Sequence, residues 1–153
     1  MRISAKADYA VRAAAELAAA EPQDRPVKGE QIAAAQGIPH KFLENILADL
    51  RDAGLVRTRR GAEGGYALTR PATQISVAEV LRAVEGPLAA VQGTRPESLR
   101  YEGAAARLPD VWVALRANIR AVLEHVTLAD LARGALPEGV VALTVPTDAW
   151  QPH

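Results

Sequence analysis

The stretch that most limits what this chain can become is Gly37-Ile38-Pro39. A glycine accepts the left-handed conformation that closes a helix C-terminus. The residue before a proline is pushed toward extended backbone, and Pro39 suits the first turn of a helix because it lacks the N–H that would go unpaired there. One helix must therefore end, turn within three residues and hand over to another, which is the geometry of a helix-turn-helix.

The flanking patterns agree. Val27 to Gln36 reads as a short helix, and the helix after the turn carries Phe42, Leu43, Ile46, Leu47 and Leu50 as one apolar stripe. His40, Lys41, Glu44, Asn45, Ala48, Asp49 and Arg51 fall on its other side. A plain solvated face would have a similar composition. The first turns nevertheless offer His, Lys and Asn donors at the positions from which a recognition helix reaches base edges and phosphates. Glu44 is the weakest of these candidates, since a carboxylate suits a groove only where it accepts from cytosine or orients a neighbour.

Ala53-Gly54 closes the second helix. Leu55 to Arg59 then alternates as a strand, Tyr66-Ala67-Leu68 returns, and Arg60-Gly61-Ala62-Glu63-Gly64-Gly65 lies between. Glycines at such a tip let backbone come close to something else. From Leu55 to Arg70 the charges are Arg57, Arg59, Arg60 and Arg70 against Glu63 alone. Guanidinium groups on a hairpin tip suit the negative potential of a minor groove. A nucleotide-phosphate loop fits these glycines less well, because no helix opening on Lys-Ser or Lys-Thr follows them. Helix, turn, helix and hairpin together predict a winged helix-turn-helix that reads DNA.

The rest of the chain reads as a frame for that module. Ser4 can cap a helix whose apolar face is Ala7, Val11, Ala14, Leu17 and Ala18, ended by Pro22 and Pro26. Tyr9 is a packing residue in this reading. Ser76 with Glu79 forms a capping box for a helix running to about Glu85, broken by Gly86-Pro87, and residues 88–107 have no sustained period. The longest periodic stretch runs from Asp110 to about Val126, with Val111, Leu115, Ile119, Val122, Leu123 and Val126 recurring at spacings of three and four. Arg116, Arg120 and Glu124 line its opposite side. Self-association would cover that apolar stripe, as would packing on the first helix. Thr127 with Asp130 opens one more short helix closed by Gly134, and a proline-containing tail follows that reads as extended or disordered, with Val140 to Val145 as a candidate edge strand.

Composition excludes several classes. A formal net charge of zero argues against holding nucleic acid by bulk charge. The distribution is uneven: residues 1–70 carry 11 basic and 9 acidic side chains (+2), and residues 71–153 carry 7 and 9 (−2). There is no cysteine, hence no thiolate ligand, disulfide or Cys nucleophile. His40, His125 and His153 show no metal-ligand spacing, no set of acids and bases converges as in an enzyme, and the N-terminus resembles neither a signal peptide nor a membrane anchor. The expected location is the cytoplasm, with no cofactor, no metal and no membrane.

The chain resembles the bacterial Rrf-two family of transcriptional regulators. The resemblance rests on the N-terminal stretch Met1 to Val11, Gln36-Gly37-Ile38, Phe42-Leu43-Glu44, Leu47 to Leu50, Gly54-Leu55-Val56, Arg60-Gly61, Gly64-Gly65-Tyr66, Ser76 to Val80 and Thr127 to Leu131. It covers residues 1–134. It implies a homodimer whose long helices cross, with recognition helices in major grooves and wing tips in minor grooves. Cluster-sensing members carry three cysteines between the short helix and the dimer helix. This chain has Val91 to Tyr101 there without a thiolate, so an iron–sulfur cluster is not expected.

The expectation is a mainly α protein with a small β-hairpin wing: a winged helix-turn-helix over 1–86, a loop or linker over 87–107, dimerisation helices over 108–134 and a tail over 135–153. Candidate DNA-binding residues are Lys6, Lys28, His40, Lys41, Glu44, Asn45, Arg59, Arg60, Gly61 and Tyr66. Partners are operator DNA, a second copy of the chain and an effector, small molecule or protein. The expected role is a repressor; a sensor or co-repressor governed by such an effector is the alternative.

Overall fold

The computed structural model describes residues 2–152. Met1 and His153, the third histidine of the sequence reading, lie outside the described residues. The helices are α1 (Ala5–Ala20), α2 (Gly29–Gln36), α3 (His40–Asp52), α4 (Val77–Glu85), α5 (Leu108–Leu123), α6 (Leu128–Arg133) and α7 (Glu138–Thr144). Strands β1 (Val56–Arg59) and β2 (Gly65–Leu68) follow α3 as an antiparallel hairpin, with Val56 opposite Leu68 and Arg59 opposite Gly65.

Alanine-rich α1 is the centre of the packing. Ser4 caps it by accepting from the Ala7 N–H at 3.0 Å, and Ala10, Ala13, Ala14 and Leu17 are essentially inaccessible. Side chains this small let neighbouring backbones approach closely, and α2, α3, α4 and α6 all pack on this one helix. Ile32, Leu43, Ile46, Leu47, Leu50, Ile75, Val80 and Leu128 fill the space between them. Burying each contributes about 1.5–3 kcal/mol. The capping boxes expected at Ser76/Glu79 and Thr127/Asp130 are both formed, and Gly134 closes α6 in the left-handed region at φ 65°.

Five expectations need correction. Val27 is not helical: it pairs with Tyr66 beside the hairpin, and α2 starts two residues later. Pro39 stands just before α3, not in its first turn. Phe42 is 46% exposed; the buried stripe of α3 is centred on Leu43, Ile46, Leu47 and Leu50, and Phe42 lies beside it in a T-shaped pair with Tyr9, ring centroids 5.9 Å apart. The long helix ends at Leu123, so Val126 leaves its stripe. Val126 is buried in the chain, its carbonyl accepting from the Val77 N–H at 2.9 Å. The tail is neither an extended segment nor a strand: Pro137 opens α7, Glu138 follows in its first turn, and Pro146 lies just beyond its end.

The loop between α4 and α5 contains two single 3-10 turns, Pro96–Ser98 and Gly103–Ala105, and buried Pro96 anchors the first. Helix α5 lies against that turn and, more lightly, α4. It does not pack chiefly on α1, and none of its side chains is fully buried.

Candidate nucleic-acid interface

Local chemistry fixes α2 and α3 against the body. Gly37 adopts φ 62°, and the next residue, Ile38, is 4% exposed and donates its N–H to the Ala33 carbonyl at 3.0 Å. The turn is therefore pinned from inside. From outside, Arg12 of α1 clamps the end of α2: Nε donates to Gln36 Oε1 at 3.1 Å, the guanidinium also reaches the Gln36 carbonyl, and Asp8 holds its other side at 2.9 Å. Its guanidinium carbon lies 5.4 Å from the centroid of the Tyr9 ring. Sequence reasoning overlooked this clamp, although the Asp8–Arg12 spacing of one helical turn was a signal for it.

With Leu43, Ile46, Leu47 and Leu50 turned inward, α3 presents His40, Lys41, Glu44 and Asn45 to solvent. His40 stands between two carboxylates, Nε2 at 3.9 Å from Glu30 and Nδ1 at 3.6 Å from Glu44. Lys41 and Asn45 lie on the exposed side without an ion pair or side-chain hydrogen bond among the described residues.

The hairpin is tied to the body through β2 one pair short of its tip, and the loop beyond is open. Val27 and Tyr66 exchange both backbone hydrogen bonds at 2.8 Å, tying the return strand to the segment that enters α2. A Cβ on Gly65 would lie 2.6 Å from the Val27 carbonyl oxygen, and one on Gly64 would lie 2.2 Å from the Arg59 oxygen. These glycines admit close approach by the chain's own backbone. Gly61 serves differently, taking up φ 104° in open space. Arg59, in the last strand pair, and Arg60, in the loop, are exposed with no ion-pair partner among the described residues, whereas Arg57 is tied down, Nε donating to the Leu68 carbonyl at 3.2 Å. Arg70 fastens the end of the hairpin to Glu79 at the start of α4. Partial burial raises the Glu79 pKa, but the Ser76 N–H and the Arg70 guanidinium outweigh it and hold the carboxyl below its usual range.

Between α2, α3 and the hairpin lies an open cleft of about 300 Å³ that brings together Lys28, His40, Glu44, Arg59, Gly61 and Tyr66. Gly29 and Glu30 also line it, and sequence reasoning had not singled them out. Lys41, Asn45 and Arg60 are exposed but outside its lining. Lys6 is set apart, paired with Asp49 of α3 at 2.8 Å, both side chains half-exposed. Helix face and arginine-bearing tip flank one concave surface, an arrangement that can follow a duplex from one groove into the next.

The family model for Rrf2 (Rrf-two), described as an iron-dependent transcriptional regulator, matches residues 3–134. An HTH-type transcriptional regulator of Mycobacterium tuberculosis is 56% identical over 143 residues, covering 94% of this chain and 88% of the relative. CymR of Bacillus subtilis is 35% identical over 132 residues, 86% of this chain and 90% of CymR. Its structure, described as that of the global cysteine regulator, superposes with a TM-score of 0.74 at 33% identity, over 88% of this chain and 98% of that one. IscR of T. potens gives a TM-score of 0.71 at 34% identity, over 88% of each chain.

The residues present do not fit resident iron. The chain has no cysteine, and among the described residues no three His, Cys, Asp or Glu side chains gather where they could hold a metal ion. Nor is any described helix long and apolar enough to cross a membrane. A winged helix-turn-helix matched over nearly its whole length by regulators of this kind places the chain in the Rrf2 family, as a DNA-binding transcriptional regulator and not an enzyme.

Proposed function

We propose that the protein is a cytoplasmic repressor that binds a two-fold symmetric operator as a homodimer, without an iron–sulfur cluster. The observation that carries the DNA-reading part is the cleft that joins His40 and Glu44 of α3 to Lys28, Arg59 and Gly61, with exposed Lys41 and Asn45 next to its α3 residues in sequence and exposed Arg60 next to Arg59. In this reading Lys41 and Asn45 meet base edges in the major groove, while His40 and Glu44 flank them. Arg59, Arg60 and the Gly61 backbone enter the minor groove; Lys6, Lys28 and Tyr66 hold the phosphate backbone.

The homodimer reading rests on α5. Val111 is 55% exposed and Leu115 37%, with Ile119, Val122 and Leu123 half-buried on the same helix. The Trp112 indole N–H is buried without an acceptor among the described residues. A second copy of α5 would cover this stripe and set two recognition helices about one helical repeat of DNA apart. Val126 has no part in it.

The test compares Arg60→Ala with Asn45→Ala on operator and scrambled DNA at several salt concentrations. Arg60→Ala should weaken binding to both and flatten log affinity against log salt by about two units for a symmetric dimer. Asn45→Ala should leave that slope alone and cost about 1–3 kcal/mol on the operator only. Equal losses on both DNAs for every α3 variant would overturn sequence-specific reading. Rising expression from the bound promoter when the gene is deleted would support repression, and falling expression would make the protein an activator.

A further inference from the structure

A second cleft, of about 520 Å³, shares no residue with the DNA-reading surface. Its lining comes from three places: Arg82 near the end of α4, Gly86 to Leu88 with Arg95 and Glu97 from the loop, and Arg116 and Arg120 one turn apart on α5. Four arginines thus line one concavity. Glu97 neutralises Arg116, and Glu124 is shared by Arg82 and Arg120, the latter at 2.9 Å. Four positive charges against two leave a local excess of +2. Arg95 makes no ion pair among the described residues; the Glu97 carboxyl is held below its usual range first by its own backbone N–H, then by Arg116, and least by Arg95.

A structural staple accounts for only one of the two excess charges. Stapling α4 to α5 requires only the Arg82–Glu124–Arg120 triplet; it does not call for Arg95, nor for an open floor of Gly86, Pro87 and Leu88. Guanidinium groups are weakly hydrated, always charged and matched in shape to carboxylate and phosphate oxygens, so an unneutralised group of them facing a cavity is suited to an oxyanion. We propose that this cleft is a binding site for a small molecule bearing two or more negative charges on phosphate or carboxylate groups, for which Glu97 and Glu124 act as internal stand-ins. Such a ligand would bridge α4, which is built into the core, and α5. Only the regulatory use of the site rests on the DNA-binding reading.

The test therefore uses the full chain without DNA. Calorimetric titrations with pyrophosphate and with citrate, at constant ionic strength set with chloride, should give saturable one-site binding. Tighter pyrophosphate binding would identify a phosphate ligand, and tighter citrate binding a polycarboxylate. Arg95→Gln, which breaks no ion pair, should weaken binding about tenfold or more with unchanged thermal unfolding. Glu97→Gln removes an internal competitor and should tighten binding about threefold. Arg133→Gln, at the end of α6, should do neither. Absence of binding by both probes beyond the chloride background would overturn the proposal. So would binding that Arg95→Gln and Glu97→Gln leave unmoved.

Discussion

Substituting Gly64 with alanine should separate the wing from the body. A Cβ there would stand 2.2 Å from the Arg59 oxygen, 2.8 Å from the Gly61 oxygen and 3.0 Å from the Arg60 carbonyl carbon. All three are backbone atoms, so no side chain can rotate away. Bringing the first contact out to about 3.0 Å needs a displacement of roughly 0.8 Å, and the Gly64 N–H bond to the Gly61 carbonyl, now 2.9 Å, is lost. Forcing the closed tip would cost about 1–3 kcal/mol. The loop can avoid that by opening, because its arginines are solvated and the Val27–Tyr66 pairing still holds β2 just behind it. Thermal unfolding should therefore move little, while Arg59 and Arg60 lose their placement. Operator titrations across salt should show a slope flattened by about four units for a symmetric dimer, twice the change for Arg60→Ala. Wild-type affinity and slope in the alanine variant would show that the wing tip does not touch DNA. A collapse of the whole fold would refute the claim that the tip is separable.

The other expectations follow from burial and charge. Leu115→Asp on α5 should sediment as a monomer with weakened operator binding and a stability change within about 0.5 kcal/mol, and an intact dimer would mean the interface lies elsewhere. Val126→Ala should do the reverse: denaturant unfolding should show a loss of about 2–3 kcal/mol from two buried methyl groups and the space they leave, with self-association untouched. Glu79 has a folded pKa below its ordinary 4.5, so its contribution is fully present above that value and lost as pH falls through the lower one. Both it and Arg70 are about one-third exposed, which limits the contribution to about 1 kcal/mol or less. Glu79→Gln should accordingly flatten the acid limb of a stability–pH curve below pH 4.5 and leave its shape near neutrality unchanged.

What the sequence revealed and what it hid divide along a physical line. Features set by residues within a few positions of one another were legible: the Gly37-Ile38-Pro39 turn, the Ser76/Glu79 and Thr127/Asp130 capping boxes, the hairpin and the apolar stripe of α3 from Leu43 to Leu50. Features made by contacts far apart in the chain were not. A lone bridge such as Val27–Tyr66 has no period to detect. The Arg12–Gln36 clamp joins residues that look independent on two helices. Val126 continues the spacing of α5 while belonging to the core, because the strand-like pairing of Ser76 with Thr127 draws that segment inward. In α7, Val140 and Val141 between prolines resembled a strand, and only the helical start after Pro137 decided otherwise. At the candidate interface, the sequence offered the residue types, but not their arrangement around one cleft.

The packing itself then suggests how such a molecule could be controlled. Helices α1, α3, α4 and α6 share one core with the base of the wing, so the DNA-reading face cannot shift without disturbing side chains that exclude water almost completely. Helix α5 is different. It has no fully buried residue, and it meets the body through the Pro96 turn, a light contact with α4 and the arginine–glutamate links Arg82–Glu124 and Arg116–Glu97. Its charged side and its apolar stripe belong to the same rigid rod. A ligand that took Arg116 from Glu97 and Arg120 from Glu124 would therefore act directly on the element proposed to pair two copies. Changing the angle of that rod changes the spacing of two recognition helices without altering either one. In a dimer whose operator half-sites have a fixed separation, that spacing is the quantity an effector would have to move.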